Sequence, residues 1–182
     1  AQFPKVFKLR RGASSAHVKL ISNSSEAESL VKKAFGRGFS QYDKMANLNE
    51  RWQKYQKNKT DLWGVIKGIL QIGKTTRFAR IAGPERGYIY FQDFIPGNDY
   101  DIRVIVIDGR AFAIKRLVRK NDFRASGSGN ALYEKHHFDL QTISRSLDVA
   151  QKIGSQCLSI DYVFQDGKPL IVEISYGFPP LG

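Results

Sequence analysis

Residues 158–175 read "LSIDYVFQDGKPLIVEIS". Two runs of β-branched and aromatic residues flank Gln165-Asp166-Gly167-Lys168, the pattern of an antiparallel hairpin with a tight turn. Each run carries one acid, Asp161 in the first and Glu173 in the second. A loop of Asp166-Gly167-Lys168, with Gly167 left-handed, sets Gln165 opposite Pro169 and Asp161 opposite Glu173. The two acids then share one face, with Cβ atoms roughly 5 Å apart. Ser175, two residues on, lies on that face too. A two-residue loop would shift the register by one and separate the acids. Two readings stand: a solvated sheet face carrying two charges, or a divalent cation site, since two hard oxygen ligands suit Mg²⁺ held together with substrate phosphates. No basic partner lies in either strand run. Neutralising one acid in the absence of a cation should therefore leave stability level or raise it, by relieving like-charge repulsion.

At 182 residues the chain is one domain, or one with a small subdomain, and long enough for a proper core. Its 42% hydrophobic and 25% charged content is that of a soluble globular protein, and no apolar run reaches the ~18 residues of a membrane span. The start, "AQFPKVFKLRRGASS", lacks a signal-peptide layout and begins on a strand-like run, so a preceding domain is expected to be missing. One cysteine, Cys157, excludes an internal disulfide and a cysteine-rich zinc site. The three histidines are too scattered for a metal cluster.

The net charge of +12 favours an anionic partner: nucleic acid, phosphates or an acidic substrate. The charge recurs in clusters such as Lys54-Lys57-Lys59 and Arg110-Lys115-Arg116-Arg119-Lys120-Arg124 rather than in one tail. Any single cluster is more often a solvated face.

"KVFKL" and "HVKLI" read as short strands around the small-residue loop "RRGASSA". "SNSSEAESLVKKAFG" has the Ser-rich start, early Glu26 and Glu28 and terminal Gly36 of a capped helix. Helical spacing runs through much of residues 43–74. "YIYFQDFI", "DIRVIVIDG" and "RAFAIKRLVR" are strands, the last two joined by Asp108-Gly109, a strong hairpin signal. "LQTISRSLDVAQKIG" is a helix with a Gly stop. The expected organisation is two αβ halves: residues 1–84 with the small-residue loop and a helical insertion, and residues 85–182 with a mainly antiparallel sheet and one helix.

"FQDFIPGNDYDIRVIVIDGRAFAIKRLVRKNDFRASGSG" followed by "SIDYVFQDGKPLIVEIS" resembles the ATP-grasp superfamily, in particular its glutathione-synthetase and RimK-like carboxylate–amine ligases. The resemblance is strongest over residues 88–178 and weaker over residues 3–35. It implies an α+β ATP-grasp fold of two lobes with nucleotide between them. It implies ATP and Mg²⁺, or Mn²⁺, as cofactors. Lys8 would reach the phosphates, and the loop containing Gly12 and Ser14 would cover them. Gln92, Asp93, Phe94 and Ile95 would meet the adenine and ribose, with the backbone near Asp93 and Ile95 left to pair with the base. Arg103, Lys115 and Arg124 would be catalytic, with Arg116 beside them in nucleotide binding. Lys8, Arg103 and Lys115 would converge on one cleft, and Asp161, Glu173 and Ser175 would hold the metal.

Three positions depart from the family pattern. Ser175 stands where an Asn is usual, which bears on a second metal; Ala125-Ser126 replaces an Asn after the "FR" pair; and the glycine-rich loop keeps only Gly12. The implied activity is ligation of a carboxylate to an amine through an acyl phosphate, in the cytoplasm, on an acidic small molecule or saccharide. Alternatives are a degenerate ATP-binding module, a small-molecule kinase, and a basic nucleic-acid-binding protein. The last is weakened by dispersed charge and the lack of any RRM, KH or zinc-finger motif.

Overall fold

Asp166 and Gly167 both have positive φ, 51° and 73°, and so do Asp108 and Gly109, at 47° and 72°. Two central residues in the left-handed region make a type I′ turn, whose twist matches the strands it joins. These two turns set the registers of the second half of the chain. The computed structural model describes residues 2–9, 17–40, 52, 81, 83–119 and 122–176. Gly12 and Ser14 lie outside the described residues, as does most of the helical insertion expected before residue 84.

The chain forms two compact units, Ala1–Phe94 and Ile95–Gly182. In the first, β1 (Lys5–Lys8) is the centre of an antiparallel sheet, between β2 (Lys19–Ile21) and β3 (Tyr90–Asp93). Because β3 pairs along the whole of β1, the segment before Phe94 belongs with the first unit, beyond the boundary expected at residue 84. Helix α1 (Ser24–Phe35) starts at Asn23, whose side chain accepts from the Glu26 amide at 3.0 Å, while Glu26 accepts from the Ser22 amide at 2.9 Å. The reciprocal arrangement satisfies donors that a helix start leaves open. Phe7, Leu9, Ile21, Ala34 and Phe39 form the core, with the Phe7 and Phe39 rings 5.2 Å apart.

The second unit is a five-stranded antiparallel sheet in the order β6 (Ala131–Leu132), β5 (Arg110–Leu117), β4 (Tyr100–Ile107), β7 (Cys157–Gln165), β8 (Lys168–Ser175). One face buries Ile102, Val104, Val106, Leu158, Ile160 and Tyr162 against α2 (Leu140–Ile153). Each such side chain contributes roughly 1.5–3 kcal/mol on full burial. Asp139 caps α2 by accepting from the Thr142 amide at 2.7 Å, and Gly154 ends it at φ 69°. Beneath the helix, Ser146 and the Tyr162 hydroxyl are 2.9 Å apart, so the buried phenol is satisfied. Asn98 pins the chain entering β4 to β7, accepting from the Phe164 amide at 2.7 Å and donating to its carbonyl at 3.0 Å.

The last hairpin departs from the expected loop and still reaches the expected pairing. Its loop is the two residues Asp166-Gly167, with Gln165 opposite Lys168 rather than Pro169. Continued unbroken, that register would set Asp161 across from Val172. A β-bulge at Asp161/Tyr162 absorbs one residue of β8: Tyr162 pairs with Ile171, and Asp161 with Glu173. The short turn and the bulge cancel, and the two acids face one another.

A Cβ added at Gly109 or Gly167 would meet no atom within 4 Å, so the left-handed φ alone sets the cost of alanine there. Gly109→Ala and Gly167→Ala should each destabilise the protein by about 1–2 kcal/mol in chemical denaturation. A neutral result for either would mean that its turn does not constrain the hairpin.

Candidate functional site

Strand alternation sends Asp101 and Arg103 of β4 to the sheet face away from α2. Arg116 lies opposite Asp101, Asp161 opposite Arg103, and Glu173 opposite Asp161. Arg103 donates from Nε to Asp161 Oδ1 at 2.7 Å and from Nη2 to Oδ2 at 2.8 Å. Arg116 grips Asp101 in the same forked way, at 2.6 and 2.7 Å, and reaches across to Asp161 Oδ2 at 2.9 Å. Four side chains from three strands thus form one charge-assisted lattice. Glu173 sits at its edge, exposed, and makes no hydrogen bond or ion pair among the described residues. Ser175 pairs in register with Ser159 and shares the Glu173 face.

This overturns the expectation that the two acids lack a basic partner. The hairpin itself has none, but the neighbouring strands supply two guanidinium groups to Asp161. Burial pushes the Asp161 carboxyl up, yet the Arg103 hydrogen bonds and the Arg116 charge outweigh it and hold the group below the ordinary value of 3.8. Burial works against the Arg116 charge, but Asp101 and Asp161 raise its pKa further. Asp101 meets one guanidinium where Asp161 meets two; burial leads, the Asp161 charge adds to it, and the Asp101 carboxyl lies above its ordinary range.

The remaining expected site residues divide by face and unit. Lys115 precedes Arg116 on β5 and so projects to the α2 side, where its ammonium lies 3.7 Å from the Tyr100 ring centroid. It does not converge with Arg103. Arg124 is held by Asp122, at 2.7 Å from Nη2 to Oδ2. Burial raises the Asp122 carboxyl, but the Arg124 bonds lower it below its ordinary range. In the first unit, Lys8 pairs in register with Tyr90 and Gln92 with Val6. Alternation puts Lys8 and Gln92 on the same face, the one opposite Phe7. Asp93 forms an ion pair with Lys5, its partner across the ladder. Phe94 closes the first unit and Ile95 opens the second. The Ile95 carbonyl accepts from Asn98 Nδ2 at 3.2 Å, which leaves its second lone pair for another donor.

Sequence reasoning passes over Asp101 and its pairing with Arg116. The signal is there: counting back from the two-residue Asp108-Gly109 turn puts Asp101 opposite Arg116. Asp122 and Asn98, which position Arg124 and the Ile95 loop, carry no such signal, because they themselves lie outside the strands and no ladder count reaches them.

The lattice reverses the expected effect of neutralising Asp161. Asp161→Asn leaves Arg103 and Arg116 without a shared anion and should cost roughly 3 kcal/mol near neutral pH. A depressed native pKa contributes stability above the ordinary value of 3.8 and loses it as pH falls through the native one. The stability gap between the parent and Asp161→Asn, measured by denaturation from about pH 7 to about pH 3, should therefore shrink at the acid end. A gap that is absent at neutral pH, or constant throughout, would contradict the assignment.

The sequence model of the RimK-like ATP-grasp domain family matches residues 74–177. Among solved structures, a D-alanine–D-alanine ligase from Bacillus anthracis matches with a TM-score of 0.51 at 16% identity, over 96% of this chain and 44% of that one. The structure of the ligase from the same organism in complex with ATP matches with a TM-score of 0.50 at 14% identity, over 96% and 41%. At these identities the likeness is one of fold, and the chain spans less than half the length of either ligase. No curated protein matches the chain. Among the described residues, no helix is long and apolar enough to cross a membrane. Since the family match takes in more than half of the 182 residues, the chain belongs to the RimK-like ATP-grasp domain family.

Proposed function

We propose that this chain is the nucleotide-handling part of an ATP- and Mg²⁺-dependent ligase that joins a carboxylate to an amine through an acyl phosphate. The observation that carries this reading is the set Asp101, Arg103, Arg116, Asp161 and Glu173 on one sheet face, within a domain of the RimK-like family. Phosphoryl transfer asks a protein for positioning and for cations along the phosphate oxygens, with little covalent help. Arg103 and Arg116 present planar forks that suit phosphate or carboxylate oxygens. Arg124, aligned by Asp122, is assigned to the same task. Lys115 faces α2 and is not given a phosphate contact.

The donor set suits a hard divalent cation, being two facing carboxylates with a hydroxyl two residues along. Among the described residues, no group of three His, Cys, Asp or Glu side chains could hold a metal, so substrate oxygens would complete the coordination. Asp161 and Glu173 would hold Mg²⁺, with the Ser175 hydroxyl beside them, and the ion would neutralise phosphate charge. In the first unit, Lys8 is proposed for the phosphates. Gln92–Ile95 is proposed for the adenine and ribose, with Asp93 steadied by Lys5. The chain's basic excess favours an acidic small molecule or saccharide as substrate.

Glu173→Gln is the cleanest test, because Glu173 takes no part in the lattice. Calorimetry should find ATP binding that depends on Mg²⁺ in the parent and is weakened at least about tenfold by Glu173→Gln, about 1.4 kcal/mol. Arg103→Ala should weaken ATP by roughly 1–3 kcal/mol and adenosine far less. Phosphate release should then appear with some pairing from a panel of carboxylates and amines. Mg-ATP affinity unchanged in Glu173→Gln would remove the metal assignment, and no ATP binding by the parent would remove the reading itself.

A further inference from the structure

We infer that Arg103 occupies the cation's place at Asp161 until a nucleotide arrives, so that the metal enters only together with the nucleotide; this rests on the nucleotide-binding reading above. A carboxylate offers about four lone-pair positions. Asp161 already fills three of them with guanidinium bonds at 2.7, 2.8 and 2.9 Å. Its side chain is 8% exposed, so water does little to screen what it meets. A free divalent ion would meet a neutralised carboxylate with two guanidinium groups within hydrogen-bonding distance.

The two arginines are not equivalent. Arg116 is anchored on two carboxylates, and its side chain is 10% exposed. Arg103 is bonded to Asp161 alone among the described residues, and its side chain is 25% exposed. Arg103 is therefore the group that can leave. Free metal gives it nowhere to go, whereas a metal–polyphosphate brings oxygens that accept the same fork. It also brings the negative charge that offsets the ion. Arg103 then exchanges Asp161 for phosphate, and Asp161 is released to the metal. Arg103 is thus a positioning residue before nucleotide binding and a phosphate ligand after it.

The role predicts a sign opposite to that of an ordinary binding residue. Free Mn²⁺, followed by electron paramagnetic resonance without nucleotide, should bind the parent weakly. It should bind Arg103→Gln at least about tenfold tighter, since removing a like charge a few ångströms away is worth at least a decade at the effective dielectric of a protein interior. Arg103→Lys, which keeps the charge, should stay near the parent, and Arg103→Gln with Asp161→Asn should lose the gain. Free Mn²⁺ binding Arg103→Gln no better than the parent overturns the inference. A second readout uses the parent alone. The ¹⁵N-resolved Arg103 Nε–H resonance should move on addition of Mg·ADP and hold still with Mg²⁺ alone; movement with Mg²⁺ alone overturns it too. A parent that binds neither ATP nor ADP would sink the nucleotide reading, and the free-Mn²⁺ comparison would still decide whether Arg103 is the counter-ion of Asp161.

Discussion

A carboxylate buried in the middle of a sheet has to be answered by cations from strands that are themselves fixed. Asp161 is that carboxylate, with β4 on one side of it and β8 on the other. Arg103 answers from the directly paired position on β4, and Arg116 from β5, one strand further out. For Arg116 to reach, Asp101 must hold its guanidinium from the facing position. The register of β5 on β4 and of β4 on β7 is therefore tied to one electrostatic requirement, because a slip of one residue would flip a charge onto the α2 face. Such a lattice is a poor device for stability alone. Well-packed apolar side chains of similar volume often hold a fold as well or better, whereas breaking one partner of a buried pair is costly. Charges that are expensive to keep, on the sheet face that α2 does not cover, fit a role in chemistry.

Register on the other side of Asp161 depends on local geometry. The Asp166-Gly167 turn is the shortest hairpin connection its residues favour, and by itself it would place Val172 across from Asp161. The bulge in β8 restores Glu173 to that place. Bulges commonly re-aim a side chain next to a functional site. Here the re-aimed group is the one carboxylate of the face that is exposed and outside the lattice. Asp161, buried and bound, and Glu173, exposed, are consequently unlike acids on adjacent strands, and they should respond unlike one another to substitution.

Much of this architecture is legible in the amino-acid sequence. The four long strands of the second unit, the α2 helix with its Gly154 stop and the Asp161–Glu173 pairing follow from a period of two, a period of 3.6 and two Asp-Gly turns, whereas the two-residue β6 falls in a stretch that reads as a loop. The pairing follows from the sequence only through a loop one residue too long, and the bulge makes the count agree. A bulge leaves no mark in "PLIVEIS", since every residue there suits a strand. The arginines, named as site residues, escape notice as partners of Asp161 for a different reason. Looking for a partner within the hairpin treats it as isolated, whereas β7 has a second edge and that edge carries Arg103. Lys115 and Arg116 illustrate a third limit. A linear motif presents them as a basic pair, but consecutive strand residues point to opposite faces.

That separation changes what the +12 charge means for the site. Lys115 lies over Tyr100 on the α2 face and contributes nothing to the face of Asp161. Around Asp161, Arg103 and Arg116 are set against Asp101, Asp161 and Glu173, two cations against three anions, while Arg110 and Lys168 stand at the turn ends of the same face. The site as it stands is not a basic patch, although the chain is strongly basic overall. A polyphosphate approaching these five groups alone would find both guanidinium forks occupied and an additional carboxylate beside them. Attraction would come only with an accompanying cation, which draws on Asp161 and Glu173 and frees a fork for the phosphate. Dependence on the metal would then follow from the charge arrangement of this face, and cations that make no contact with the anion would govern only how fast it arrives.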